Sequence, residues 1–244
     1  MQVVRLADAA AVLSATGRDH YARNTIRPNV APVHGWAYGA AVAWVGLDAE
    51  ERVPYVSVLG PEDEAGDLVE RSCGDWPDLP VSMPAGVAAL RPGLLDVQFH
   101  WLFRTATSSP RMPGDVAVIE LPPAGDERID DLLEASSELT SARPGDSGVR
   151  RWAVVEEHGK LLACAADTSG SPGIGHMGSV AVHPSARGHG LGSAVVGWLT
   201  ADLLRAGCDV VAVGVFVAET PAQRLYDRLG YRTEHEMVSG RLTA

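Results

Sequence analysis

A glycine-rich turn between an apolar strand and an amphipathic helix constrains this chain more than any other feature. Residues 177–192 read M-G-S-V-A-V-H-P-S-A-R-G-H-G-L-G. The glycines Gly188, Gly190 and Gly192 leave the backbone N–H groups uncovered, and the helix that follows directs its unpaired amides and its positive dipole end at the same point. Arg187 adds a positive charge just before the turn. The pattern predicts a binding site for a pyrophosphate group.

The composition limits the class of protein. With 244 residues, 46% of them hydrophobic, the chain can bury a sizeable core, and we expect two lobes. Its three cysteines are far apart and lack metal-ligand spacing, so neither a disulfide framework nor a metal site is expected. A net charge of −11 argues against sequence-independent nucleic-acid binding. No apolar run approaches the roughly 18 residues of a membrane span. We therefore expect a cytoplasmic protein without membrane or nucleic-acid partners.

The C-terminal part alternates strands with helices. The run at 210–217 is apolar and rich in β-branched residues, which predicts a strand in the middle of the sheet. A capping residue, a proline and a glutamine at 220–223 predict the start of a short helix. We expect strands at 115–121, 151–157, 161–166, 177–182, 210–217 and 231–238, helices at 126–138, 191–206 and 220–229, and a flexible connection at 169–175.

Residues 1–112 follow a fainter version of the same plan. The run Leu59-Gly60-Pro61-Glu62-Asp63-Glu64 stands where the glycine turn would be. Three acids repel a phosphate, and proline removes one amide donor. We therefore expect a degenerate lobe at 1–112 that has lost the ligand site and a functional domain at 113–244, joined through the Pro- and Ser-rich segment 107–114.

The glycine turn and the segment after it resemble the GNAT superfamily of acyl-CoA-dependent N-acyltransferases. That family's signature is Arg or Gln, two residues, Gly, one residue, then Gly or Ala, followed downstream by a helix carrying Ala and Leu-Tyr and by a Gly-aromatic exit. The resemblance covers about 114–244, and the degenerate first lobe resembles the subgroup related to glycine N-acyltransferases. The matching residues are Arg187, Gly188, His189, Gly190, Leu191 and Gly192, then Ala222, Leu225, Tyr226, Gly230 and Tyr231.

The resemblance implies an α/β fold of the α+β type, with a mixed, mostly antiparallel sheet and flanking helices. It implies acetyl-CoA as co-substrate, with its pyrophosphate on the turn and its pantetheine arm on the backbone of Val180, Ala181 and Val182. The reaction it implies is transfer of an acetyl or other short acyl group to an amine of a small molecule or peptide, without a metal. Pro184 cannot donate a hydrogen bond, so we expect strand pairing to end there and open a gap beside 210–217.

Tyr226 is the predicted general acid. A coenzyme A thiolate with a pKa of about 8.5 can take a proton from a phenol with a pKa of about 10. The alternative is a core tyrosine, because Ala222, Tyr226 and Leu229 repeat at helical spacing.

Glu219 is the first candidate for the base. It stands where the family commonly has an Asn that contacts pantetheine, and its alternative role is to stabilise a helix N-terminus. Glu120, His176 and His183 are further candidates, and His183 beside Pro184 reads best as a turn residue.

Two other functions compete with acyl transfer. Gly188-His189-Gly190 begins a dinucleotide-binding fingerprint, but Ser193 breaks it and Glu219 lies too late to bind a ribose. A non-catalytic protein that senses acyl-CoA would keep the turn without needing Tyr226. The acceptor has no signature, and the first lobe has two open roles, acceptor contacts or a homodimer surface.

Overall fold

The structure is a computed structural model that describes residues 1–26, 33–47, 54–76, 78–96, 98–111, 116–124, 126–136 and 140–243. The N-terminal half contains β1 (Val4–Leu6), α1 (Ala9–Ala15), α2 (His20–Thr25), β2 (Gly35–Tyr38), β3 (Ala41–Leu47), β4 (Pro54–Leu59), α3 (Glu62–Ser72), β5 (Pro80–Pro84), α4 (Ala85–Leu90) and β6 (Phe99–Ala106). The C-terminal half contains β7 (Ile119–Leu121), α5 (Glu127–Ser136), β8 (Arg151–Glu157), β9 (Lys160–Asp167), β10 (Ile174–Val182), α6 (Leu191–Arg205), β11 (Val210–Phe216), α7 (Thr220–Arg228) and β12 (Arg232–Arg241).

All of these strands form one twelve-stranded sheet, in the order β1-β2-β3-β4-β5-β12-β6-β11-β10-β9-β8-β7. The pairs β4 with β5 and β10 with β11 are parallel, and the other neighbouring pairs in the described residues are antiparallel. Helices flank the sheet, so the predicted mixed and mostly antiparallel fold is confirmed. Among the described helices, none has both the length and the apolar character of a membrane span.

The two halves repeat one pairing pattern. Strands β2 to β5 pair antiparallel, antiparallel and then parallel, and β8 to β11 do the same. The last strand of each half is exchanged, because β6 pairs with β11 and β12 pairs with β5. The exchanged strands also pair with each other at the centre of the sheet. The halves are therefore interlocked through their backbones.

Each half has its own core, and a third cluster joins the two. In the C-terminal half, alternate residues of β9 face α6 on one side of the sheet and α5 on the other, which buries Cys164. The joining cluster centres on the buried ring of Tyr21. Its centroid lies 5.3 Å from that of Phe103 and 5.8 Å from that of Trp101, both on the exchanged strand β6.

Most predicted elements of the C-terminal half are present, with one difference of consequence. The segment 169–175 was expected to be a flexible connection, but β10 begins within it at Ile174. The Thr168 amide donates to His176 O at 2.9 Å, and the buried Ser169 hydroxyl accepts from the His176 amide, so the turn into β10 is fixed by hydrogen bonds. The apolar run at 36–45 is a hairpin of β2 and β3, turned at Gly39 with a φ of 61°. Part of the predicted linker, 112–114, and the first residue of the predicted strand 115–121 lie outside the described residues.

Candidate functional site

The strands β10 and β11 separate halfway along their length. They pair from Ile174 with Val210 as far as Met177 with Val213. Beyond that point β11 continues beside β6 to Phe216, whereas β10 continues beside β9 to Val182. A gap therefore opens between two strands that are neighbours at their beginnings.

A β-bulge in β10 lies where the gap begins. The register with β9 shifts between Gly178 and Ala181, and Ser179 has a φ of 46°, which side chains other than glycine seldom adopt. The Ser179 hydroxyl is bound on both sides by the Ala142 backbone, with its amide and its carbonyl each at 2.8 Å. The expectation that Pro184 opens the gap is wrong, because the separation from β11 starts before this bulge. Near Pro184 it is the pairing with β9 that ends.

The backbone of β10 presents hydrogen-bonding groups to the gap. The His183 amide donates to Leu162 O of β9 at 2.9 Å. Because successive N–H groups of a strand point to opposite neighbours, the Val182 amide points away from β9 and toward the gap, as does that of Val180. The groups of Ala181 point toward β9, and its side chain is buried in the core beneath α5.

The glycine turn leaves the start of α6 open. Gly188 and Gly190 both have a φ of 80°, and a Cβ on either would meet nothing within 4 Å. Gly190 is the N-cap of α6 and supplies no side-chain cap. The first amides of a fifteen-residue helix therefore face open space, which is the arrangement that binds anions at helix N-termini.

Two side chains hold the turn in place. The Arg187 guanidinium donates from Nη2 to Ser136 O, the last residue of α5, at 2.8 Å. The His189 ring donates from Nδ1 to Arg187 O at 2.9 Å. Both side chains are exposed on the same surface as the turn. The predicted cation is therefore anchored beside the turn.

Gly192 is the point at which the elements of the site meet. A Cβ on Gly192 would lie 2.8 Å from Leu225 Cδ1 of α7 and 3.3 Å from Val182 Cγ2 of β10. A Cβ there would require the end of the Leu225 side chain to shift, so glycine allows α6 and α7 to approach closely. Sequence reasoning gave Gly192 a role as an amide donor and missed this packing role, which needs the tertiary structure to be seen.

Tyr226 and Glu219 lie on the helix that packs against the turn. The Tyr226 ring is buried, and it packs edge-to-face on Tyr231 with centroids 5.3 Å apart. Glu219 is the exposed N-cap of α7, and its side chain makes no capping hydrogen bond. The structure thus brings α7 to the glycine turn, with Tyr226 beside the contact residue Leu225.

The sequence of the C-terminal half matches a known protein family. Residues 118–231 match the acetyltransferase (GNAT) family. The chain carries a GNAT acetyltransferase domain. The matched segment contains the parted strands, the glycine turn and α7, so the GNAT domain includes every element of the site described above.

Solved structures share the fold over nearly the whole chain. A GCN5-related N-acetyltransferase from Kribbella flavida has a TM-score of 0.58 at 17% identity, over 95% of this chain and 94% of that one. One from Sphaerobacter thermophilus has a TM-score of 0.57 at 18% identity, over 97% and 94%. An acetyltransferase from the GNAT family of Colwellia psychrerythraea has a TM-score of 0.54 at 14% identity, over the full length of both. No curated protein matches significantly.

The remaining candidate bases of the GNAT domain hold structural positions. Glu120, on the edge strand β7, accepts from Arg151 Nη1 at 2.7 Å. His176 is buried, with its Nδ1 2.7 Å from Thr168 Oγ1. His183 caps the turn that follows β10, where its Nδ1 accepts from the Ser185 amide at 3.2 Å. Each of these three side chains therefore makes a structural hydrogen bond, and none of them needs a role in proton transfer to explain its position.

Arg104 is a residue that sequence reasoning missed. It lies on β6, outside the matched GNAT segment, and its side chain is buried. It donates to Gln223 O at 3.0 Å, to Tyr231 O at 3.1 Å and to the Asp227 carboxylate, which fixes both ends of α7. The hydrogen bond from Arg104 lowers the pKa of Asp227. An arginine within an apolar strand pattern gives no local signal of such a role.

A cavity of about 510 Å³ adjoins the glycine turn of the GNAT domain. Its wall combines the turn residues His189 and Leu191 with Glu156 and Glu157 at the end of β8. A larger cavity, of about 620 Å³, lies away from the turn and is lined by residues of the N-terminal half together with residues of the exchanged strand β12. Size therefore does not single out the cavity beside the glycine turn.

Proposed function

We propose that the chain transfers an acetyl or other short acyl group from acetyl-CoA to the amine of a small molecule or peptide, at the gap between β10 and β11. One observation carries this proposal. The gap opens directly beside an α6 N-terminus whose amides face open space, and at Gly192 the start of α6 lies close to the Val182 side chain of β10. A thioester carrier needs both features, because its diphosphate and its extended arm require different kinds of contact.

In this proposal, the diphosphate lies on the amides of Gly188, His189, Gly190, Leu191 and Gly192. Arg187, anchored on α5, supplies positive charge beside them. The pantetheine arm pairs with the β10 backbone in the gap, as an added strand would. Val180 and Val182 contribute the hydrogen bonds, because their amides point away from β9, whereas Ala181 contributes packing from the opposite face.

The reaction is a direct displacement at the thioester carbonyl. The amine nitrogen attacks the carbonyl carbon, so a C–N bond forms and the C–S bond breaks. An amide of β10 that faces the gap stabilises the oxygen on which negative charge develops. The sulfur leaves as a thiolate that must be protonated, and the amine must lose one proton.

We assign the two proton transfers to α7. Tyr226 donates a proton to the leaving thiolate, and its phenol is regenerated from solvent. Glu219 accepts the proton of the amine, and its exposed carboxylate has no capping hydrogen bond to give up. Arg104 acts as a positioning residue, since its hydrogen bonds hold the helix that carries both groups.

Residues 1–112 we interpret as a second GNAT-like lobe without a cofactor site, as in the subgroup related to glycine N-acyltransferases. The repeated pairing pattern supports the common plan. At the corresponding position α3 begins with Pro61 as N-cap and with three acids in its first turn. These features repel a diphosphate and support the loss of its site.

The test uses the full chain and a pool of amines. Calorimetry should detect binding of acetyl-CoA, and release of free thiol should identify the acceptor. Tyr226→Phe should lower kcat by about 100-fold or more, with acetyl-CoA affinity changed by less than about threefold. Glu219→Gln should move the acidic limb of the pH–rate profile. No binding of any coenzyme A derivative would refute the proposal, and full turnover of Tyr226→Phe would refute the role of Tyr226.

A further inference from the structure

The larger cavity carries a cluster of possible metal ligands on its wall. Asp19, Glu234 and His235 each offer one ligand atom, and these atoms all lie within 4.8 Å of one another. All three residues line the cavity of about 620 Å³, which lies between the ends of β4, β5 and α1 on one side and β12 on the other. The cluster thus combines an imidazole and two carboxylates facing an open volume.

A β-bulge brings the two neighbouring residues of β12 to the same cavity. Along β12, Thr233 pairs with Arg104 and His235 pairs with Phe103, so Glu234 is an extra residue in the ladder. In a regular strand, adjacent side chains point to opposite faces of the sheet. The bulge re-aims one of them, which is the reason that Glu234 and His235 line one cavity.

The third residue, Asp19, is held so that one oxygen remains for the cluster. Its Oδ1 caps α2 and accepts from the amides of Tyr21 at 2.8 Å and Ala22 at 3.3 Å. Its Oδ2 lies 2.9 Å from His235 Nε2. The two oxygens of Asp19 are therefore divided between the helix and the imidazole.

Neighbouring groups orient the other two side chains, as outer groups do around metal ligands. Thr105 Oγ1 donates to Glu234 Oε1 at 2.5 Å, and His20 Nδ1 lies 2.8 Å from the same oxygen. The His235 ring stacks on Phe103 with an interplanar angle of 27°. The donors are therefore held from several elements before any ion arrives.

The charge of the cavity favours a cation. Glu62 and Glu236 add two further carboxylates to the wall, and the described residues that line the cavity include neither lysine nor arginine. A ligand with a diphosphate would be repelled there, whereas a divalent cation would offset the excess negative charge.

We propose that Asp19, Glu234 and His235 bind a divalent first-row transition metal of the zinc type. Imidazole nitrogen together with carboxylate oxygen is a ligand set that such ions prefer. Three protein ligands leave at least one coordination position, which faces the cavity and takes water. The site combines Asp19 of the N-terminal half with two residues of the exchanged strand β12, and its existence does not depend on the proposed acyl transfer.

The experiment titrates the metal-free full chain with Zn²⁺ in a calorimeter. We expect saturable uptake of one Zn²⁺ per chain and a rise in melting temperature on binding. His235→Ala and Asp19→Asn should each weaken the affinity by at least about tenfold. Asparagine keeps the cap of α2, so the second variant tests the ligand without removing the cap. Circular dichroism of each metal-free variant checks that it is folded.

Two control variants separate a built site from general attraction. Glu236→Gln removes a charge from the same wall without removing a proposed ligand, and His158→Ala removes an exposed imidazole elsewhere. Both should bind Zn²⁺ within about threefold of the parent chain. The proposal is wrong if uptake is absent or unsaturable, if His235→Ala binds like the parent, or if Glu236→Gln weakens binding as strongly as the ligand variants.

Discussion

The two halves of the molecule contain the same parted pair of parallel strands and fill the gap with different chemistry. In the C-terminal half, β10 leaves β11 at a bulge, and a turn with two positive-φ glycines opens α6. In the N-terminal half, β4 pairs with β5 at Val56 and Ser57 and then separates, but β4 keeps an unbroken register with β3. Its helix α3 begins with a proline and three acids. The strand pairing creates the gap, and the residues at its opening determine whether an anionic or a cationic ligand is favoured.

The comparison also explains why the bulge matters. A bulge in β10 turns its backbone away from β11, so amides face the gap that an extended ligand would fill. Beside the N-terminal gap, a bulge is found in β12, the strand of the C-terminal half that pairs with β5, and it brings Glu234 and His235 to one cavity. The bulge in β12 lies on its ladder with β6 and not between β4 and β5, so the two bulges have different effects on the gaps. One gap exposes main-chain donors, and the other exposes side-chain acceptors.

The largest expected effect on stability tests how the halves are joined. Arg104→Met removes a buried donor and leaves the carbonyls of Gln223 and Tyr231 without it. We expect the free energy of unfolding to fall by about 2–4 kcal/mol. Asp227→Asn alters the partner of Arg104 whose side chain is 61% exposed, so its cost should be much smaller than that of Arg104→Met. Urea unfolding measures both, and equal losses would contradict the assignment.

Glycine-to-alanine changes at Gly60 and Gly190 should affect different quantities. The first should lower stability, and the second should raise the KM for acetyl-CoA. At Gly60, with a φ of 132°, a Cβ would lie 2.6 Å from Ala41 Cα, so alanine should cost about 2–3 kcal/mol of stability without changing the KM for acetyl-CoA. Gly190→Ala meets open space but is strained at a φ of 80°. It should raise that KM by about tenfold.

The control for Gly190→Ala is Gly159→Ala. Gly159 lies in the β8–β9 hairpin, has a φ of 77° and also has nothing within 4 Å of a built Cβ. Its backbone strain should match that of Gly190→Ala, whereas the KM for acetyl-CoA should not change. A raised KM in both variants would mean that strain, and not the turn, sets the affinity.

The smallest expected effect is an alkaline loss of stability from two buried tyrosines, one in the joining cluster and one in the C-terminal core. Burial raises the pKa of Tyr21 and that of Tyr231 above the unfolded value near 10. Below that value both are neutral in either state. As pH rises further, the unfolded chain ionises first and is favoured by about 1.4 kcal/mol per pH unit for each group. Tyr231→Phe should reduce this slope in urea unfolding between pH 8 and 11, and an unchanged slope would contradict it.

Local sequence patterns predicted the strands and helices of the site but not how they pair and pack with one another. The β-branched run of β11 and the proline at the start of α7 identify those elements, because they act through neighbours in the sequence. The insertion of β6 beside β11 depends on which strand edges remain to be paired, and no residue of β6 records that choice. The bulge at Ser179 was missed because a serine there gives no sign of a positive φ.

The candidate metal cluster illustrates the same limit. The expectation of no metal rested on cysteine spacing, which reports ligands that are close together in the chain. Asp19 and His235 are 216 positions apart, and the fold brings their side chains to 2.9 Å. Carboxylates and imidazoles at such separation form no motif. A ligand set of this kind becomes visible after the exchanged strand β12 is in place.

The exchange of β6 and β12 has a consequence for the order in which the protein matures on the ribosome. The open edge of β5 is covered by β12, which is translated after all the other strands. Until those ten residues emerge, the N-terminal sheet presents an unpaired edge, and β6 has one neighbour instead of two. The half that is synthesised first thus completes its sheet last, so a ribosome that stalls before β12 leaves an aggregation-prone nascent chain.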